Sequence, residues 1–169
     1  TASTTAALAL GDALAVVVLK ARGFSEEDFA LSHPGGSLGR KLLTHVSDVM
    51  RKGDRIPTVA PSASISNAIL EITKKGLGMT AVVGANNKLL GVFTDGDLRR
   101  LIERGADLLP LTAQEVMHRS PRLVREDALA VEAAGLMEQH RITSVIVVDE
   151  AGRITGALNS NDLMRAKVI

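Results

Sequence analysis

The stretch Gly91-Val92-Phe93-Thr94-Asp95-Gly96-Asp97-Leu98 returns, altered, as Gly156-Ala157-Leu158-Asn159-Ser160-Asn161-Asp162-Leu163. The surrounding chain repeats with it. Val46-Ser47-Asp48-Val49-Met50 matches Ala113-Gln114-Glu115-Val116-Met117, 67 residues on. Thr80 matches Ser144 at a spacing of 64, and Asp97 matches Asp162 at 65. Such a period is too long for a solenoid and suits a duplicated small domain. One copy alone would be weak evidence, but two in equivalent places make a paired binding architecture.

Each copy carries the same order of patterns. Ile65, Ala68, Ile69 and Ile72 recur at helical spacing and mark one buried face; Leu129, Ala133 and Leu136 repeat it. Two short strands follow, Thr80–Val83 and Leu89–Phe93, joined through Asn86-Asn87. Their equivalents are Ser144–Val148 and Ile154–Leu158, turning at Gly152. A closing helix starts near Asp97 and again near Asp162, and Gly105 to Thr112, with Pro110, connects the copies. Each copy is therefore strand–helix–strand–strand–helix, an α+β unit small enough that burying its sheet requires its twin.

The strand-to-helix corner is where chemistry is expected. Thr94 or Asn159 supplies an N-cap, with Asp97 or Asp162 three residues later. A helix N-terminus presents unpaired N–H groups and the positive end of its dipole, which suits a phosphate. A carboxylate at that point can accept hydrogen bonds from a ribose diol. The same residues also satisfy a capping box, and the two roles are compatible. Thr58, Thr80 and Ser144 are further candidates to line these clefts through hydroxyl or backbone, with strand-edge packing as the alternative. Arg99, Arg100 and Arg104 follow Asp97, and Arg165 and Lys167 echo them; Arg suits phosphate, although exposed helical arginines are commonly solvated.

Composition excludes several other classes. A net charge of +1 gives no general attraction to nucleic acid or to a membrane surface. Aromatic residues are 2% of the chain, too few for a base-stacking platform. The absence of Cys removes disulfides, thiolate metal sites and a cysteine nucleophile, and fits a reducing compartment. His45, His118 and His140 lack partners at metal-ligand spacing, so no metal site is expected. Met50, Met117 and Met137 read as core.

The leading segment is of another kind. Residues 3–22 read as a helix capped by Ser3 or Thr4 and ended by Gly23, apolar from Ala6 to Leu19 except at Gly11 and Asp12. That run is short for a bilayer and carries Asp12 near its middle. A helix apolar on every face belongs inside something larger. The partner is expected upstream or in another subunit, and the chain reads as a fragment beginning inside an element already under way. Ser25-Glu26-Glu27-Asp28 looks like a capping box with Phe24 as its staple. Ser32-His33-Pro34-Gly35-Gly36-Ser37-Leu38-Gly39-Arg40 follows, which on local chemistry alone is a flexible connector with an incidental His33.

The repeated unit, the Asp-Val-Met opening and the Gly-x-x-Thr-x-x-Asp closing resemble a tandem pair of CBS domains over roughly residues 44–167. The resemblance implies two β-α-β-β-α units, 44–105 and 112–169, related by a pseudo-two-fold. It implies that Thr94 and Asp97 contact the ribose and phosphates of an adenosine ligand. Asn159 and Asp162 would do so in the second copy, where the hydroxyl residue is replaced. It also implies a homodimer formed through the CBS pairs.

Ala2 to Leu14 and the Ser32-His33-Pro34-Gly35-Gly36 segment resemble the end of the sugar isomerase (SIS) domain of bacterial D-arabinose 5-phosphate isomerases. On that resemblance, residues 1–40 are the tail of an SIS domain and His33 is an active-site residue. The parent would be a cytoplasmic tetramer that interconverts D-ribulose 5-phosphate and D-arabinose 5-phosphate for Kdo and lipopolysaccharide synthesis. Isomerisation through an enediol needs a base and polarising groups in a closed pocket. Most of these would lie upstream of Thr1, so this stretch alone is expected to be inactive. Three functions stay open: a regulatory module binding an adenine nucleotide or a nucleotide-sugar such as CMP-Kdo, with no required cofactor; a purely structural dimerisation module; and residual isomerase activity.

Overall fold

The computed structural model describes residues 1–25, 28, 36 and 42–169. The chain divides into two compact units, Thr1–Leu43 and Thr44–Ile169.

In the first unit, α1 runs Ala2–Ala21. Its cap is Thr1, two or three residues earlier than expected, whose hydroxyl accepts from the Thr4 N–H at 3.4 Å, and Gly23 follows in the left-handed conformation that ends helices (φ +68°). At 20 residues and a mean hydropathy of 1.8, α1 is long and apolar enough, by length and composition only, to cross a membrane. The helix is thus longer than the apolar run suggested, but Asp12 still falls near its centre, where a carboxylate is costly in hydrocarbon. None of its residues is buried. Ser25 and Asp28 form the expected box: Asp28 Oδ2 accepts from the Ser25 N–H at 2.8 Å, and Ser25 Oγ accepts from the Asp28 N–H at 3.2 Å. His33 and its glycine-rich surroundings lie outside the described residues.

The second unit holds the duplication. In chain order it runs α2 (Val46–Val49), β1 (Thr58–Val59), α3 (Ile65–Lys75), β2 (Met79–Val83), β3 (Leu89–Thr94) and α4 (Asp95–Glu103). The second copy repeats these as α5 (Ala113–Val116), β4 (Leu123–Arg125), α6 (Ala130–His140), β5 (Ser144–Val148), β6 (Ile154–Asn159) and α7 (Ser160–Arg165). Each copy makes a three-stranded sheet whose first strand runs parallel to the second and whose second pairs antiparallel with the third. Both antiparallel pairs bulge at the same place, Val82/Val83 and Val147/Val148. The tight connections use left-handed residues, Asn86 and Asn87 in one copy and Gly152 in the other.

Local chemistry accounts for the elements. Ser64 caps α3 by accepting from the Asn67 N–H, and Gly76 ends it with φ +62°. Ile65, Ala68 and Ile72 bury its inner face against Phe93. Burying an Ile or Phe side chain stabilises by roughly 1.5–3 kcal/mol. In the second copy the buried face is Ala130, Ala133 and Met137, packed on Val145, Val147 and Leu158. Leu129 sits outside α6 as its N-cap residue, which shifts the expected face by one position. The two sheets meet through Leu77, Met79, Ala81 and Val92 on one side and Ile146, Val148 and Ala157 on the other. This joint core makes the copies one body.

The openings of the copies are exchanged. Arg51, just after α2, trades both backbone hydrogen bonds with Ala157 of the second copy at 2.8 and 3.1 Å. His118, just after α5, does the same with Val92 of the first at 3.0 and 2.8 Å. Val46 and Met50 join the core of the second copy, while Ala113 and Met117 join Val82 of the first. This crossing explains the glycine that begins each motif. A Cβ on Gly91 would lie 2.6 Å from the His118 carbonyl oxygen, and one on Gly156 would collide with the Met50 sulfur and lie 3.0 Å from the Arg51 carbonyl.

Candidate ligand-binding clefts

The strand-to-helix corner forms as expected in both copies. Thr94 leaves β3 extended and caps α4: its Oγ1 accepts from the Asp97 N–H at 3.1 Å, and Asp97 Oδ2 accepts from the Thr94 N–H at 3.0 Å and hydroxyl at 2.7 Å. Asn159 caps α7 in the same way, with its Oδ1 accepting from the Asp162 N–H at 3.0 Å and Asp162 Oδ2 accepting from the Asn159 N–H at 3.1 Å. Asn can therefore replace the hydroxyl residue without loss of the cap.

At the first corner the structure opens a cleft of about 610 Å³, lined by Thr94, Asp95, Gly96, Asp97 and Arg100 from the first copy and by His118, Arg122, His140, Arg141 and Ser144 from the second. Exchange of the openings delivers His118 and Arg122 to this place, and the joint core delivers the end of α6. Arg141 takes the left-handed conformation (φ +52°) at the position where the first copy has Gly76. A non-glycine residue held there costs energy that the surroundings must supply, a feature that clusters at binding sites.

The charges suit an anion beside a diol. Arg100 donates to Asp97 Oδ1 at 2.6 Å and is 60% exposed, so it reaches solvent as readily as the carboxylate. The guanidinium groups of Arg122 and Arg141 have no carboxylate partner among the described residues. A carboxylate offers about four acceptor positions, and Asp97 uses three, leaving room for a ligand hydroxyl. The α4 N-terminus and the free guanidinium groups supply donors for phosphate oxygens.

The second corner is closed. Arg51 makes a two-pronged contact with Asp162, Nε donating to Oδ2 at 2.9 Å and Nη2 to Oδ1 at 3.2 Å. Its remaining nitrogen donates to the Lys75 carbonyl at 2.5 Å. The two side chains are only 15% and 9% exposed. Asn159 is buried, and its amide nitrogen reaches the Gly76 carbonyl at 3.5 Å.

Other expected residues fall elsewhere. The strand registers set Met79 opposite Thr94 and Ser144 opposite Asn159, so the counterpart of Ser144 is Met79, and the spacing of 64 that paired it with Thr80 is one residue short. Thr80 is opposite Phe93, fully buried, with its hydroxyl unpartnered and away from the cleft lining. Ser144 lines the first cleft, though its hydroxyl donates to the Leu77 carbonyl. Thr58 is exposed on β1, its N–H donating to Glu71 at 3.3 Å, and does not line the first cleft. A separate cavity of about 590 Å³ between the hairpin turns contains none of the expected residues. Sequence reasoning missed Arg51, Arg122 and Arg141. The repeat offset already paired Arg51 with His118, but only the exchange of openings shows what each faces.

A duplicated β-α-β-β-α unit with paired corners defines a tandem module whose clefts lie between its copies. The model of the CBS domain family matches residues 46–104 and 113–169, and the chain belongs to that family. Over all 169 residues it is 52% identical to the arabinose 5-phosphate isomerase KdsD of Pseudomonas aeruginosa and 53% identical to that of Escherichia coli strain K12. It covers 52% and 51% of those proteins, so the chain spans about half the length of the curated relatives it matches. Among solved structures, CBSX2 in complex with AMP is 27% identical, with a TM-score of 0.61 over 73% of this chain and 95% of that one. The CBS domain pair of MJ0100, in complex with 5′-methylthioadenosine and S-adenosyl-L-methionine, is 27% identical, with a TM-score of 0.64 over 72% and 94%. A conserved protein of Pyrococcus horikoshii is 25% identical, with a TM-score of 0.65 over 73% and 91%.

Proposed function

We propose that this chain is the effector-binding CBS pair of a D-arabinose 5-phosphate isomerase, and that the effector occupies the cleft at Thr94 and Asp97. The observation that carries the reading is the first cleft itself. A capped helix N-terminus, a carboxylate paired only with the exposed Arg100, and two guanidinium groups without a carboxylate partner among the described residues converge on about 610 Å³, room for a nucleotide. The AMP held by CBSX2 and the adenosine compounds held by the MJ0100 pair support an adenine nucleotide as the ligand class. A nucleotide-sugar such as CMP-Kdo presents the same phosphate and diol chemistry. An effector would act by linkage, shifting an attached catalytic domain only as far as its affinity differs between two arrangements of the pair.

On this reading residues 1–40 are the end of an SIS domain, followed by CBS units at 44–105 and 112–169. The exposed apolar α1 would be covered by the rest of that domain, and His33 would belong to its active site. The parent enzyme would work in the cytoplasm on D-ribulose 5-phosphate as a tetramer, with CBS pairs joining as dimers. This chain alone would not isomerise sugar phosphates. A second reading, a structural dimerisation module without ligand, draws support from the closed second corner.

A thermal-shift screen separates the two. AMP, ADP, ATP, CMP, CMP-Kdo and S-adenosylmethionine would be titrated into the purified chain. A ligand at one hundred times its Kd stabilises by about 2.7 kcal/mol, or roughly 5–11 °C for a chain of this size. A saturable rise with one compound, lost in Asp97→Ala, is the expected result. No rise at millimolar concentration with any of them overturns the proposal in favour of the structural module.

A further inference from the structure

We infer that the Arg51 guanidinium is the built-in occupant of the second cleft, so that each chain takes one nucleotide, at Thr94 and Asp97. The inference rests on the ligand-binding reading of the first cleft and adds what decides its stoichiometry.

Arg51 and His118 are structural equivalents. Each follows the short opening helix of its copy and trades two backbone hydrogen bonds with the third strand of the other. Their side chains do opposite things. The His118 ring turns to the Ser120 carbonyl, with Nε2 at 3.0 Å, and leaves Asp97 to the solvent-exposed Arg100. Arg51 instead grips both oxygens of Asp162, and the planar fork matches a carboxylate bidentately. Asp162 accepts three hydrogen bonds, as Asp97 does, but two of them come from a largely buried guanidinium that covers the face a diol would approach.

The grip is reinforced from two sides. Arg51 is held at its far end by the Lys75 carbonyl, and Asn159 reaches the neighbouring Gly76 carbonyl, which draws the end of α3 against the corner. Arg165 adds a second positive group, 3.9 Å from Asp162. A nucleotide entering here would have to separate a largely buried pair and leave a guanidinium stranded. At the first corner it would displace only an exposed Arg100.

The test counts sites. Calorimetric titration with AMP would be run on the unaltered chain, Asp97→Asn, Arg51→His, Arg51→Gln, and Arg51→His with Asn159→Thr. That double variant gives the second corner the histidine and the threonine cap of the first. The expected stoichiometry is one AMP per unaltered chain, abolished in Asp97→Asn. It rises to two in at least one Arg51 variant, of which Arg51→Gln serves if histidine prevents folding. Two sites in the unaltered chain overturn the inference. One site in every correctly folded Arg51 variant also overturns it, while leaving the proposed function intact. No binding in the unaltered chain, with one site in the variants, upholds the plug and refutes the assignment of the first cleft. No binding in any form refutes both.

Discussion

The two corners of the CBS pair share an architecture and differ in what stands behind the carboxylate. Asp97 and Asp162 close the same kind of box around the same kind of cap, at 18% and 9% side-chain exposure. Behind Asp97 lies a cleft bordered by His118 and by two arginines without a carboxylate partner among the described residues; behind Asp162 lies Arg51. Duplication supplied two equivalent corners, and Arg51 of the exchanged opening engages the carboxylate of one, while its counterpart His118 leaves the other to Arg100. The same capped corner thus presents its carboxylate differently in the two copies, according to what arrives from the other copy.

The largest contrast is expected in how the two ion pairs bear on stability. Removing one partner of a buried pair is strongly destabilising, because the other is left uncompensated, whereas an exposed helical pair contributes little. Arg51→Ala should therefore cost about 3 kcal/mol, a fall of roughly 6–12 °C in Tm. Arg100→Ala should cost less than about 1 kcal/mol. Differential scanning calorimetry of the two variants reads both, and equal losses would remove the distinction drawn between the corners.

A smaller contrast concerns the glycines that admit the crossing segments. Both substitutions to alanine overpack a tight contact, at about 1–3 kcal/mol. At Gly91 the nearest obstacle is the His118 backbone carbonyl, fixed by its own pairing with Val92; at Gly156 it is the flexible Met50 side chain. Gly91→Ala should accordingly be the more damaging, measured by urea denaturation. The reverse order would mean that Met50 is too tightly held to yield.

Much of this was legible in the sequence, for identifiable reasons. The helical face of Ile65, Ala68 and Ile72, the strand pairs and both capped corners rest on local periodicity and cap chemistry, and they formed as read. Asn86-Asn87 and Gly152 marked the turns because few residues accept a positive φ. The pairing of Thr80 with Ser144 failed because an offset of one residue reverses the face of a strand. One hydroxyl went into the core and the other to the cleft edge. Arg51 was missed for a different reason. Its partner Asp162 is 111 residues away in sequence, and the contact exists only because the copies exchange their openings, which no local pattern announces.

The smallest effect expected is in acid, at the openings themselves. In the second copy the hydroxyl of Thr112, and then its N–H, donate to Glu115 Oε2 at 2.7 and 2.8 Å, and they hold that carboxyl below its usual range. In the first copy His45 offers Asp48 an N–H at 2.9 Å and no hydroxyl. A folded-state pKa below the unfolded one means that the unfolded chain takes up the proton more readily. The stabilisation is therefore present above the ordinary value of 4.5 and is lost as pH falls below it. Glu115→Gln removes that titration, so its Tm should fall less steeply than that of the unaltered chain as the pH drops below 4.5. Because Glu115 lies at the surface, its share of the acid limb should be slight and should shrink further in high salt. A parallel acid limb in the variant would show that the Thr112 box adds nothing to holding α5 against the first copy, and would leave the His118–Val92 backbone pairing and the apolar contacts of Ala113 and Met117 to anchor the exchanged opening.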